Sequence, residues 1–298
     1  MPFENWRQEI NTYLIQTLED KLPSHEFNEV IRYSVLPAGK LFRPLLVYSL
    51  AKDLGEINFN HKIFATSLEL HHTYTLIHDD LPAMDDDDER RGRPSCHVKY
   101  NEWKAILAGD GLLNLSYGIL GDMNSTQLPD LIRLYAEYMG PKGLILGQVK
   151  DLGHENKSLK DIIQIHELKT ARLIQLAFLG CNLLSQSPLS TTICQQLGYA
   201  LGVNFQLLDD LCELTEPLNT HEKEINPFLH FDQNELFSII QKNTDLMRTV
   251  MKQHQLNCLK EYTNTYLQKM NKIISDGHQT IIKSVDKKYL TSINDLKI

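Results

Sequence analysis

Apolar side chains recur at helical spacing along most of the chain, and nowhere do they alternate at the two-residue period of a strand over a useful length. Ile10, Leu14 and Leu18, four residues apart, predict a helix over residues 1–20. Pro23 and Ser24 interrupt it, and a second short helix is predicted over 25–36. After a loop at 36–44 the helical pattern returns over 44–55 and 60–79, then over 97–122, 128–150, 158–186 and 193–215. The last ~70 residues read as two or three further helices with a lysine-rich tail. No repeat and no low-complexity linker divides the chain. The pattern predicts an all-α fold organised as one domain over residues 1–298.

Composition narrows the function classes. Of the 298 residues 42% are hydrophobic, enough for a substantial core, and the formal net charge of −8 argues against non-specific nucleic-acid binding. The first ten residues lack the basic region and apolar run of a signal peptide. No apolar stretch approaches the ~20 residues of a membrane span. Cys96, Cys181, Cys194, Cys212 and Cys258 are scattered, odd in number and without a Cys-x-x-Cys pair. That usage predicts free thiols in a reducing, cytoplasmic setting.

Chemistry concentrates between Asp79 and Arg93, where seven acids are followed by three arginines within fifteen residues. Pro82 breaks the preceding helix just after Asp80, so Asp79 and Asp80 hang from a helix C-terminus and Asp85 returns on the loop. Carboxylates there face the negative end of the helix dipole and need a compensating cation. Either the run is a solvated acidic loop, or it holds a hard divalent cation with Arg90, Arg91 and Arg93 gripping phosphates. An EF-hand calcium loop fits poorly, because no glycine occupies the turn position.

Other candidates fall on the helices. Leu68, His72, Thr75 and Asp79 share one helix face, which puts His72 in line with the acids, either as a core histidine or as a ligand contact. Lys40 and Arg43 are the only charges of the loop at 36–44, and Lys169 and Arg172 share a face beside Thr170. Gln206, Asp209, Asp210 and Glu213, at i, i+3, i+4 and i+7, form a polar stripe on an otherwise apolar helix, lining either an interior cavity or the surface. A di-iron bundle site needs a Glu-x-x-His pair on two helices, a requirement the chain does not meet. Ligands that are nearly all aspartate favour Mg²⁺, and Mg²⁺ among lysines and arginines favours phosphate.

These residues carry a resemblance. Asp79-Asp80-x4-Asp85 followed by Arg90-Arg91, and later Asp209-Asp210, resembles the two aspartate-rich motifs of the trans-isoprenyl diphosphate synthases. The run from His78 to His97 is most similar to the bacterial farnesyl diphosphate synthases, and the likeness extends from about Leu36 to Asp210. It implies an isoprenoid-synthase-type helical bundle around a central cavity, a homodimer, and a prenyltransferase activity. Isopentenyl diphosphate would be condensed with an allylic diphosphate (dimethylallyl or geranyl) through an allylic carbocation, releasing diphosphate. Three Mg²⁺ ions, for which Mn²⁺ could substitute, would assist. The resemblance makes Asp79, Asp85 and Asp209 the metal ligands, with Asp80 alongside in the motif. Arg90, Lys169, Thr170 and Gln206 would contact the allylic diphosphate, and Lys223 could reach a diphosphate. Lys40, Arg43, His72 and Arg91 would form the isopentenyl diphosphate site, and Gly39-Lys40-x-x-Arg43-Pro44 matches the family pattern directly. Asp79, Asp80, Asp85, Arg90, Lys169 and Asp209 form the catalytic set. Gln148 and Asp151 match a Gly-Gln-x-x-Asp segment. Tyr74 and Thr75, before the first aspartate, together with the Pro82-Ala83 insertion, imply a stop at the C15 product, farnesyl diphosphate.

The chain departs from the family around the second motif. Glu213 stands where an aspartate is expected, Leu208 where a glutamine is usual, and Leu146 where a glycine is usual. The following Gly-Lys-rich segment is absent, and Lys223-Glu224-Ile-Asn-Pro227 is all that remains of the next. Three alternatives stay open at this point. One is a homologue or partner subunit that binds prenyl diphosphates without efficient turnover, another is a C20 synthase, and the third is a cyclising terpene synthase, which has no use for Lys40, Arg43 and His72.

Overall fold

A computed structural model describes residues 2–153, 157–186, 188–216, 218, 223, 225–294 and 296–298. It is almost wholly helical, and the chain divides into two compact units, Met1–Arg133 with Leu183–Gln186, and Leu134–Asn182 with Ser187–Ile298.

The first unit is built on α4 (Phe59–Asp79), preceded by α1 (Phe3–Lys21), α2 (Asn28–Val35) and α3 (Phe42–Asp53). Helix α4 starts at a reciprocal cap. The Asn58 side chain accepts from the His61 N–H at 3.2 Å, and His61 Nδ1 accepts from the Asn58 N–H at 3.3 Å. It is enclosed by α1, α3 and α6 (Glu102–Gly118), so its apolar residues Ile63, Phe64, Leu68 and Leu70 are fully buried. A hydrogen bond from Ser67 Oγ to the Ser116 carbonyl, 2.6 Å, ties α4 to α6. The helix ends at Asp80, whose N–H still reaches the Leu76 carbonyl at 3.1 Å, before Pro82 forbids continuation.

The helix predicted over 97–122 is interrupted. Asn101 takes φ 129°, separating α5 (Cys96–Tyr100) from α6, and its side chain accepts from the Lys104 N–H. A 3₁₀ turn, Ile119–Asp122, follows. Two two-residue strands, β1 (Glu89–Arg90) and β2 (Arg93–Pro94), pair antiparallel just before α5, in a stretch where no strand was expected.

The helix predicted over 128–150 breaks at Gly140-Pro141, within the second unit, into α7 (Leu128–Met139) and α8 (Leu144–Leu152). The segment 158–186 holds α9 (Leu159–Ile165), a π-helical turn (His166–Ala171) and α10 (Arg172–Leu184). Helix α11 (Thr191–Glu213) packs on the π turn, on α13 (Gln233–Gln253) and on α14 (Asn257–Asp276). Short helices α12 (Pro227–His230), α15 (His278–Ile281) and α16 (Lys287–Asn294) exceed the two or three expected at the C-terminus. No helix of the described residues is long and apolar enough to cross a membrane.

Candidate active site

The acidic stretch folds as a compact cap on the end of α4. The Asp85 N–H donates to the Asp79 carbonyl at 2.9 Å, which brings the Asp85 backbone onto that of Asp79. Asp79 and Asp85 are both half-buried. Asp80 is different. It is buried, and Arg90 holds one of its carboxylate oxygens through Nε at 2.9 Å and Nη2 at 2.5 Å. Burial pushes the Asp80 carboxyl above its ordinary value, and the Arg90 guanidinium pulls against that shift. Arg90 also reaches Asp87 at 2.6 Å.

The two short strands explain how Arg90 and Arg91 separate. A two-residue connection with positive φ at both Arg91 (57°) and Gly92 (72°) is a type I′ turn, the hairpin turn whose twist suits the flanking strands. Arg90 therefore turns to Asp80, while the Arg91 Nη2 lies 4.0 Å from Glu69 Oε1 on α4. Arg93, grouped above with the phosphate-gripping arginines, instead anchors the hairpin. It donates to the carbonyls of Tyr33 (2.6 Å) and Leu36 (3.3 Å), and its guanidinium lies 4.2 Å from the centre of the Tyr33 ring.

Further along α4, cationic side chains collect around His72. His72 keeps partial exposure, yet burial, with Arg43, Arg91 and Arg90 nearby, holds it well below the ordinary histidine value. A neutral imidazole among guanidinium groups marks a place of positive potential. Lys40 is exposed on the adjoining loop and Arg43 half-buried on α3. Tyr74 is buried, with its ring edge-on to His71 (4.6 Å) and His78 (5.7 Å), and Thr75 is buried with its hydroxyl bonded to the His72 carbonyl. The structure thus brings Arg43, His72 and Arg91 together around one stretch of α4, with Lys40 exposed on the preceding loop. It adds Glu69, a lone acid in an apolar pattern that also completes a Glu-x-x-His pair with His72 and is surrounded by arginines.

In the second unit the π turn carries Lys169 and Thr170. π turns are rare and cluster at functional sites. Here two glycines hold it: a Cβ on Gly147 of α8 would stand 2.5 Å from the Lys169 nitrogen, and one on Gly202 of α11 would stand 2.4 Å from the Ala171 Cα. Lys169 Nζ pairs with Asp151 at 2.7 Å, whereas Arg172 pairs with Glu167 at 3.0 Å and lies over the Tyr138 ring. The expected Lys169–Arg172 stripe does not form, because the wider turn rotates the two apart.

Thr170, Gln206 and Asp210 form a chain. The Thr170 hydroxyl donates to Gln206 Oε1 (3.1 Å), and Gln206 Nε2 donates to Asp210 Oδ1 (2.9 Å). Asp210 is buried, and desolvation pushes its carboxyl well above the ordinary range against the Gln206 hydrogen bond. His166 Nε2 lies 3.4 Å from Asp210 Oδ2, and burial lowers His166 to about 4. Asp209 remains half-buried on the same helix. Asn226 Nδ2 donates to the Asp210 carbonyl (2.7 Å) and to Glu213 Oε2 (3.3 Å). Glu69, His166 and Asn226 received no role from the sequence. Only Glu69 offered a signal there, its place three residues before His72. Lys223 is exposed, and Glu224 lies outside the described residues.

The family model "Polyprenyl synthetase" matches residues 24–227. The chain is 34% identical to the farnesyl diphosphate synthase of Haemophilus influenzae over 246 residues, which cover 78% of this chain and 83% of that one. Among solved structures, the geranyltranstransferase of Thermotoga maritima superposes with a TM-score of 0.78 at 26% identity, over 91% of this chain and 100% of that one. A geranyltransferase from Legionella pneumophila gives 0.75 at 28% identity, over 95% and 96%. With the family model spanning more than half of its length, this chain belongs to the polyprenyl synthetase family.

Proposed function

We propose that the protein is a trans-prenyltransferase that joins isopentenyl diphosphate to dimethylallyl or geranyl diphosphate, releases diphosphate, and stops at farnesyl diphosphate. The observation that carries this reading is the neighbourhood of α4. Its C-terminal end presents half-buried Asp79 and Asp85, and about two turns before Asp79 His72 stays neutral among Arg43, Arg91 and Arg90. An acidic site for a metal-bound diphosphate and a cationic site for a second diphosphate then lie in one unit. A cyclising terpene synthase needs only the first.

The donor chemistry fits Mg²⁺. Asp79 and Asp85 offer hard carboxylate oxygens, and Asp209 offers another in the second unit. Among the described residues no three potential ligands come together, so these carboxylates would supply one or two ligands per ion and phosphate oxygens the rest. When bound, the ions neutralise charge on the departing diphosphate. Asp80, held by Arg90, orients the arginine that we assign to the allylic diphosphate. In the second unit, Lys169 and Thr170 on the π turn, with Gln206, are assigned to diphosphate binding, as is the exposed Lys223. Lys40, Arg43, His72 and Arg91 bind isopentenyl diphosphate. The buried Tyr74 ring, packed edge-on between His71 and His78, is too confined to move aside and supports a C15 stop.

The reading takes residues 1–298 as one functional domain, cytoplasmic and homodimeric. Trp103, Ile106 and Leu107, one face of α6, are 57%, 42% and 49% exposed, an apolar surface suited to a second copy. Purified protein with Mg²⁺, isopentenyl diphosphate and each allylic partner should release a C15 product. Binding of both substrates with no elongation would refute the synthase and leave a non-catalytic homologue. A C20 product would refute the chain-length assignment alone.

A further inference from the structure

Glu69 is the least expected charge in the first unit. It lies within the apolar core of α4 and is 3% exposed. A carboxylate taken out of water is costly unless cations compensate it. Three do, and each comes from a different element: Arg91 from the hairpin turn, Arg43 from α3 and Arg7 from α1. Arg91 Nη2 is 4.0 Å from Glu69 Oε1. Arg7 Nη1 donates to the Gly39 carbonyl at 3.4 Å. Gly39 in turn leaves the space in which Arg91 lies, since a Cβ there would stand 2.8 Å from the Arg91 Cζ. Three arginines, one glycine and one buried acid therefore form a single constellation. His72, one turn beyond Glu69 on the same helix, feels Arg43 and Arg91 as well.

We propose that Glu69 is a positioning residue that fixes Arg91, Arg43 and Arg7 in one arrangement for the isopentenyl diphosphate, and that Arg7 of the N-terminal helix is a further contact to that diphosphate. The proposal rests on the isopentenyl diphosphate site assigned above. Arginine side chains lose considerable rotamer freedom when they grip a ligand. A buried acceptor that orders them beforehand removes that loss from the binding step. Glu69 touches no substrate in this scheme and acts through the guanidinium groups alone.

The test separates this role from a structural one by comparing the two substrates. Glu69→Gln keeps the size and removes the charge. It should raise the KM for isopentenyl diphosphate about tenfold, the factor for one weakened charge-assisted contact, and leave kcat and the allylic KM within about twofold. Glu69→Asp should recover part of the loss. Arg7→Gln, on a half-buried position of α1, should shift the same KM in the same direction and decides the matter if Glu69→Gln does not fold. Calorimetric titration with isopentenyl diphosphate gives the same comparison without turnover. If the native protein neither elongates nor binds isopentenyl diphosphate, the functional reading falls and takes this inference with it. If the native protein binds it and Glu69→Gln or Arg7→Gln binds it equally well, or loses both substrates alike, the positioning role is wrong.

Discussion

Gly147→Ala sets two opposed effects against each other, and the structure decides which wins. Gly147 lies inside α8, where alanine is normally favoured over glycine by up to about 1 kcal/mol. A methyl group there, however, would stand 2.5 Å from the Lys169 nitrogen, 2.8 Å from the Leu168 carbonyl carbon and 2.9 Å from the Leu168 Cβ. Two of these atoms are backbone, so no side chain can swing away. Reaching an ordinary contact requires α8 and the π turn to separate by about 1 Å. Overpacking of this kind costs roughly 1–3 kcal/mol, which offsets the whole helix gain and predicts a net loss of up to about 2 kcal/mol. The functional effect should be larger, because the displaced turn carries Lys169 and Thr170. A misplacement of about 1 Å at a binding group can cost on the order of a hundredfold in rate. Urea denaturation together with kcat/KM for the allylic substrate measures both. Gly118→Ala is the control, because nothing lies within 4 Å of the added methyl. It should be neutral or slightly stabilising and fully active. A Gly147→Ala protein as stable and as active as the native one would refute the argument.

Tyr74→Ala should lengthen the product beyond C15 and destabilise the fold by roughly 3 kcal/mol as a large buried ring is lost; an unchanged C15 product excludes Tyr74 as the stop. Burial lowers His71 to about 3, so between pH 6.5 and that value the unfolded chain binds a proton that the folded one does not, and the stability from neutral His71 is complete above pH 6.5 and lost as pH falls. Unfolding free energy of His71→Gln should therefore depend on pH less steeply than the native protein's, by about 1.4 kcal/mol per unit between pH 6 and 4, and parallel curves would exclude it. Asp209→Asn should lower kcat about a hundredfold or more, as loss of a charge that stabilises the transition state does, whereas Asp210→Asn should stay within about tenfold because burial already disfavours its ionised form. Equal losses at the two positions would contradict the division of roles.

Most helices, and the end of α4 in particular, could be read from the chain, because apolar spacing and Pro82 act locally. The hairpin could not, since two-residue strands are too short to alternate; its trace is Gly92, which supplies one of the two positive-φ positions of a type I′ turn. The π turn escaped for a different reason. It shares the apolar pattern of an α-helix, and one extra residue in the turn is enough to send Lys169 to Asp151 and Arg172 to Glu167. Arg93 shows the limit of charge grouping. Three neighbouring arginines look equivalent in sequence, yet Arg93 alone meets the carbonyls at the end of α2. Glu69 is the converse case, an acid whose meaning depends on arginines brought in from three distant segments.

The same distinction bears on the second aspartate motif, where the chain departs most from its family. Leu208, in place of the usual glutamine, is completely buried, so that residue faces the core. The neighbouring polar duty is carried by Gln206, which bonds Thr170 and Asp210 together. Glu213, in place of an aspartate, lies within reach of Asn226, and Asn226 at the same time binds the Asp210 carbonyl and accepts from the Phe228 N–H at the start of α12. The longer acid thus serves as a tether from α11 to the segment that begins α12. Asn226 is 1% exposed, so each of these bonds is protected from water and its loss would strand a buried polar group. Lys223 belongs to the same tethered region, with its carbonyl accepting from His230 Nε2 at 2.6 Å. Both substitutions therefore sit where the helix meets the core or the following segment, and Asp209, the acid assigned to metal, is the one that keeps its identity and its partial exposure. At these two positions the altered residues serve core packing and a tether, beside Asp209 and Asp210, which both match the motif.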